Sequence, residues 1–172
     1  AGALRVGQAL EGGATTLVGV WQRAPLQALA RLHALAAADL VDEQLLGRPR
    51  QDPEVSPRLD LVTRLVTGAS AAPAPVLAAV VHGELLTLAP FGSGDGVIAR
   101  AMSRLVTIAT GLDPHGLGVP EVYWLRRAEE YRTVAAGFAT GTPEGLGPWL
   151  LMCCRALEDG AREAVSIAEA AG

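Results

Sequence analysis

The residues able to do chemistry cluster around Leu88-Ala89-Pro90-Phe91-Gly92-Ser93-Gly94-Asp95-Gly96-Val97-Ile98-Ala99-Arg100. Three glycines at alternate positions, 92, 94 and 96, separate two apolar segments. Glycine takes positive φ without steric penalty and lets a ligand approach the backbone closely. The segment after Gly96 has a helical pattern, so the unpaired N–H groups of its first turn face this loop. Unpaired amides and the helix dipole both favour an anion there, usually a phosphate. The same glycines would also serve a tight helix–helix turn that needs them for steric reasons alone, and spacing does not separate the two readings.

Other signatures each lack a part, and the dinucleotide-binding one revives only if Leu85–Leu88 is a strand. No Lys-Ser/Thr follows the glycines, as a Walker A loop requires. A dinucleotide fingerprint needs Gly-x-Gly-x-x-Gly between a strand and a helix, whereas this spacing is Gly-x-Gly-x-Gly after a helix-like segment. His82-x-Glu84 has the form of half a zinc deaminase signature, but the Pro-Cys-x-x-Cys half is absent. The adjacent pair Cys153-Cys154 cannot replace it, because neighbours on a helix point about 100° apart. His82 reads as a buried histidine satisfied by hydrogen bonds.

The elements that must position the loop are helices. Half of the 172 residues are hydrophobic but only 4% are aromatic, so the core is built from Leu, Val and Ala, which suits packed helices better than a sandwich. Residues 1–13 are Gly-rich and carry no clear pattern, and 14–20 read as a short strand or the lead into a helix. Pro25 opens a helix through Leu26, Leu29, Leu32, Leu35, Leu40 and Leu45, stopped near Gly47. A loop with three prolines spans 47–57. Pro57 starts the next helix, with Ser56 as its cap, running to Gly68. A nearly all-apolar helix from Ala74 or Pro75 to Leu88 is central in its domain. Helices over about 97–110, 120–140 and 146–170 follow. The expectation is one all-α domain, 1–172, of six to seven helices, with 1–23 an N-terminal extension or a truncated inhibitory segment. Trp21, Trp124 and Trp149 read as core or interface anchors.

In one ungapped frame the loop resembles the Fic (Fido) motif His-Pro-Phe-x-Asp/Glu-Gly-Asn-Gly-Arg-x-x-Arg, which lies between two central helices of an all-α fold. Pro90, Phe91, Gly94, Gly96 and Arg100 match. Leu32, His33 and Leu35, followed by Gly47-Arg48-Pro49-Arg50, resemble the family's earlier helix and its Gly-x-x-Arg end. The resemblance spans about residues 24–155, with only the loop specific.

The departures fall on the chemistry. The family's general base stands at Ala89, which cannot accept a proton, and loss of a general base costs on the order of 10²–10⁴ in rate. The Mg²⁺-holding acid is Ser93, a weak ligand for a hard cation. The Asn is Asp95, and the first Arg is Val97, so no catalytic residue is assigned. What remains is a phosphate or nucleotide site of Phe91, Gly92, Ser93, Gly94, Asp95, Gly96 and Arg100, with Arg104 one turn further on as a supplement. Asp95 would aid a metal but repel a bare phosphate. The resemblance also implies an inhibitory Glu paired with Arg100. Two segments fit that pattern: Gly7 to Gly12, with Glu11, and Thr140 to Gly145, with Glu144. A surface turn is the alternative for both.

The expected function is therefore a catalytically degenerate Fic-like binding or regulatory module. It would take ATP or another nucleotide, with weak support for Mg²⁺ and no metal site of its own. The alternatives are a nucleotidyl or phosphoryl transferase with an altered motif, and a helical interaction module with a protein partner or a second copy and no ligand. Fourteen basic against eighteen acidic residues exclude a general nucleic-acid binder. No apolar run reaches membrane-spanning length. With only the adjacent cysteines and no leader pattern visible, a bacterial cytoplasm is the expected compartment. The chain starts at Ala1 without Met, which fits a trimmed piece.

Overall fold

In the computed structural model, which describes residues 1–11, 16–68 and 70–172, every regular element is helical. Contacts divide the chain into two compact units, Ala1–Gly116 and Leu117–Gly172.

The first unit holds α1 (Gly2–Leu10), α2 (Thr16–Arg23), α3 (Pro25–Ala37), a 3-10 turn (Glu43–Leu45), α4 (Val55–Val66), α5 (Ala74–Leu88) and α6 (Asp95–Ala109). Pro25 sits in the first turn of α3, where its missing N–H costs nothing. The α3 face carrying Ala28, Leu29, Leu32, Ala36 and Ala37 is buried, a spacing of three, four and seven that makes one stripe. On α5 the buried positions include both Val81 and His82, and both Leu85 and Leu88, so the helix is enclosed on more than one side. α6 is the hub: it packs on α1, α2, α3 and α5, and most extensively on α5. The core joins Trp21, Leu32, Leu85, Ile98, Met102 and Leu105. The glycine loop is the α5–α6 connection and therefore lies at one end of the central helix pair.

The second unit holds α7 (Pro120–Arg126), α8 (Ala128–Phe138) and α9 (Pro143–Ala171), with α7 and α8 both packed on α9. Its centre is aromatic. Tyr131 lies 5.9 Å from Trp124 and 5.6 Å from Trp149 between ring centroids, and Phe138 lies 5.8 Å from Trp149. A Cβ on Gly160 would come within 2.6 Å of the Pro120 backbone nitrogen, so the start of α7 rests directly on α9 there. All three tryptophans are core residues.

The all-α expectation holds, and the differences lie in helix number and boundaries. The described residues contain nine α-helices rather than six or seven. The Gly-rich start is helical over Gly2–Leu10 because Val6 and Leu10 find a buried face on α3 and α6. The part of the 14–20 segment that is described is helix rather than strand; residues 12–15 and 69 lie outside the described residues. The helix from Pro25 ends at Ala37, ten residues before Gly47, and Leu40 and Leu45 are exposed; the leucine spacing continues past the packed face. α4 starts at Val55, before Pro57, directly after a turn in which Asp52 Oδ1 accepts the Glu54 N–H at 3.0 Å. The expected 120–140 helix breaks at Arg127, whose φ and ψ of −126° and 41° are not helical.

Candidate functional site

The loop begins where α5 must stop. Ala89 takes the left-handed conformation, φ 44° and ψ 60°, and its N–H returns to the Leu85 carbonyl at 3.1 Å. The Gly92 N–H closes a turn onto the Ala89 carbonyl at 3.2 Å. Gly92 and Gly94 have φ of 73° and 67°, and Gly94 caps α6. A Cβ on Gly94 would lie 3.4 Å from the Ala36 Cβ, so the loop rests against the end of α3.

Among the described residues, no carbonyl or side chain takes the amides of Ser93, Gly94, Asp95 and Gly96. The Phe91 amide is taken, since Asp95 Oδ1 accepts it at 3.0 Å. That carboxyl is half-buried, and desolvation raises its pKa above the ordinary carboxylate value. The Phe91 and Gly92 amides, the Arg50 charge and the His33 ring when it is protonated oppose that shift.

Arg100 is on the α6 face that bears Gly96. Its Nη1 lies 3.5 Å from where a Gly96 Cβ would be, with a Leu86 methyl at 3.9 Å. The guanidinium thus runs back over the first turn of α6. Among the described residues it makes no ion pair. His82, fully buried on α5, is held neutral: burial drives its pKa down to about 3, and the nearby Arg100 charge acts in the same direction.

Two residues outside the motif hold the loop in place. Arg50 donates from Nη2 to the Leu88 carbonyl at 3.0 Å and from Nε to the Ala89 carbonyl at 2.9 Å. Its own backbone N–H donates to the Pro90 carbonyl at 2.8 Å. These bonds satisfy carbonyls that the end of α5 leaves without helical partners. His33 of α3 stacks on Phe91, with ring centroids 4.0 Å apart and planes within 5°. Its Nδ1 accepts the Gly47 N–H at 2.8 Å, and its Nε2 lies 3.3 Å from the Ser93 hydroxyl. A backbone N–H can only donate, so in the neutral ring the proton sits on Nε2 and points to Ser93. His33 is therefore in the wrong tautomer to draw a proton from Ser93, and the pair is not an activated nucleophile.

The structure brings Phe91, Gly92, Ser93, Gly94, Asp95, Gly96 and Arg100 together at one end of the α5–α6 pair. Arg104 does not join them. Its guanidinium donates to the Gly116 carbonyl, in the loop that follows the other end of α6. Glu11, the exposed residue after α1, makes no ion pair with Arg100 among the described residues, and Gly12 lies outside them. Glu144 belongs to the second unit, in the first turn of α9. Thr140 to Gly145 there form a capping turn: Thr142 Oγ1 accepts the Gly145 N–H at 3.3 Å. Glu84 is tied to Arg58 of α4 at 2.6 Å. Among the described residues no three His, Cys, Asp or Glu side chains converge on a metal position, and no helix is long and apolar enough to cross a membrane.

No protein-family model, curated protein or solved structure matches this chain.

In the sequence His33 and Arg50 stand out only as parts of an earlier helix and loop. Their role is invisible in spacing, because they act on residues roughly forty to sixty positions away. The one local signal is the pair of arginines, Arg48 and Arg50, on either side of Pro49.

Proposed function

We propose that the chain is a catalytically degenerate Fic-like module that binds a phosphate-bearing ligand, a nucleotide in the first instance, without transferring it. The observation that carries this reading is the set of open amides from Ser93 to Gly96 with the Arg100 guanidinium laid over the same helical turn. Amides at a helix start and a guanidinium are the groups that hold phosphate oxygens. The absence of transfer rests on Ala89, which carries no proton-accepting group where the motif places its base, and on the tautomer of His33. Asp95 opposes a bare phosphate, so Mg²⁺ between the two should strengthen binding.

Calorimetry with ATP, ADP and AMP, with and without Mg²⁺, tests the reading. Wild type should bind, and Arg100→Ala should weaken binding about tenfold or more, as expected for loss of a charged hydrogen bond. No binding by wild type, or equal binding by Arg100→Ala, overturns it. Radiolabelled transfer from ATP should be absent in wild type and gained, if at all, only by Ala89→His with Ser93→Asp.

A further inference from the structure

His33 joins two loops that are distant in sequence. Through Nδ1 it holds Gly47, and through Nε2 and its stacked face it holds Ser93 and Phe91. Both ring nitrogens are committed in the neutral form, one as acceptor and one as donor. Arg50 joins the same two loops, but with a charge that does not change across the accessible pH range. Its bonds go to the carbonyls of Leu88, Ala89 and Pro90. The loop is thus held by two anchors of different chemistry, one on residues 88–90 and one on 91–93.

We propose that His33 is a proton-operated latch on residues 91–93 of the glycine loop, while Arg50 is a fixed pin on residues 88–90. A proton added to Nδ1 would face the Gly47 N–H with a second donor. Either the Gly47 bond breaks or the ring turns, and a turned ring leaves both Phe91 and Ser93. The charged group facing the ring from α6 is Asp95, which favours the protonated form, but burial outweighs it and keeps the ring's pKa below 6.5. From the 47–50 loop, Arg50 directs its guanidinium to the α5 carbonyls and Asp52. Among the described residues Asp95 is the charge that acts on the ring. The sign follows: the native state holds the neutral ring more strongly than the unfolded chain does. The stability that the neutral ring contributes is fully present above about pH 6.5 and falls as pH drops towards the lowered native pKa, and the latch itself opens as pH passes through that native pKa. Release should free the middle of the loop between two retained ends, Arg50 at one side and the start of α6 at the other. This inference does not depend on any ligand.

Nitrogen-15 NMR of the full chain, titrated downward from about pH 7.5 until the fold is lost, reads the ring and the amides residue by residue. At the start Nδ1 should be unprotonated. As the ring titrates, the Gly47 amide should lose about tenfold of its exchange protection, beyond the change in intrinsic exchange rate. The Phe91 and Ser93 resonances should move with it, while the Arg50 and Ala89 amides stay protected. His33→Gln can accept the Gly47 N–H but cannot titrate, and should leave Gly47 independent of pH. Three outcomes overturn the latch: Nδ1 protonated at the start, a ring that stays neutral until the whole chain unfolds, or a ring that titrates with Gly47 unchanged. Loss of Arg50 and Ala89 protection in step with Gly47 overturns the division between latch and pin. Should His33→Gln not fold, the wild-type titration decides alone.

Discussion

Among the helix–helix joints that use positive-φ glycine, α8–α9 and α5–α6 are held in opposite ways. The α8–α9 joint serves itself. Thr140 Oγ1 donates to the Gly137 carbonyl at 2.7 Å and lies 3.0 Å from Thr142 Oγ1, and Thr142 caps α9. Every partner falls within nine residues, from Gly137 to Gly145, and Gly141 supplies the φ of 67°. The α5–α6 joint takes its partners from far away: Arg50, 38 and 39 residues from the carbonyls it holds, and His33, 60 residues from Ser93. A turn that only reverses the chain can satisfy its own polar groups. A turn anchored from other elements is fixed in space relative to them, which is what a site requires.

The largest expected effect breaks the self-contained joint. A Cβ on Gly145 would fall on the Gly137 carbonyl, a backbone atom that cannot swing aside. Gly145→Ala should therefore force α8 and α9 apart and cost about 3 kcal/mol, the upper range for overpacking, read by denaturant unfolding and by the amides of α8 and α9. A change under about 0.5 kcal/mol, the level of an ordinary surface substitution, would mean that the close approach of the two glycines is not what sets that joint.

Arg50→Ala attacks the remote anchoring and should cost about 2 kcal/mol. Two hydrogen bonds to a charged donor are lost, each in the range of about 1.5–3 kcal/mol, discounted because the Arg50 side chain is 41% exposed. The Arg50 backbone N–H still holds Pro90. The Ala89 amide should exchange faster, and Arg50→Lys should not restore it, since a single ammonium cannot bridge two carbonyls as the guanidinium fork does. Equal protection in Arg50→Ala and wild type would put the α5–α6 joint in the same class as the α8–α9 one.

The contrast also accounts for what the sequence makes legible. The α5 and α6 helices follow from local pattern: Pro75 at the start, a run of apolar residues, then glycines. The reversal at Gly92–Gly96 follows from those glycines. The early stop of α3 at Ala37 does not, because Leu40 and Leu45 keep helical spacing while nothing covers them. The split at Arg127 is equally hidden. Arg127 lies over the Tyr123 ring at 4.0 Å, in a run whose charges look like one solvated helix face. Within the site, backbone-determined features were readable from residue type, while the two anchors were not, since a hydrogen bond across sixty residues leaves no periodicity.

The smallest expected effect sharpens the comparison at one atom. Ala89 is the only described non-glycine residue with positive φ. The left-handed conformation costs an L-residue roughly 1–2 kcal/mol, and this position after a helix is one where glycine is usual. Ala89→Gly removes that strain and leaves intact the carbonyl that Arg50 holds. The added freedom of glycine in the unfolded chain takes back part of the gain. A net stabilisation of about 1 kcal/mol should appear as a raised denaturation midpoint with an unchanged slope. At the α8–α9 joint the residue after the helix, Ala139, is right-handed and the positive φ falls on Gly141, so no such reserve exists there. If Ala89→Gly instead lost stability, the Ala89 methyl group rather than its backbone would be what the loop keeps, and Arg50 would be holding a turn with little strain to oppose.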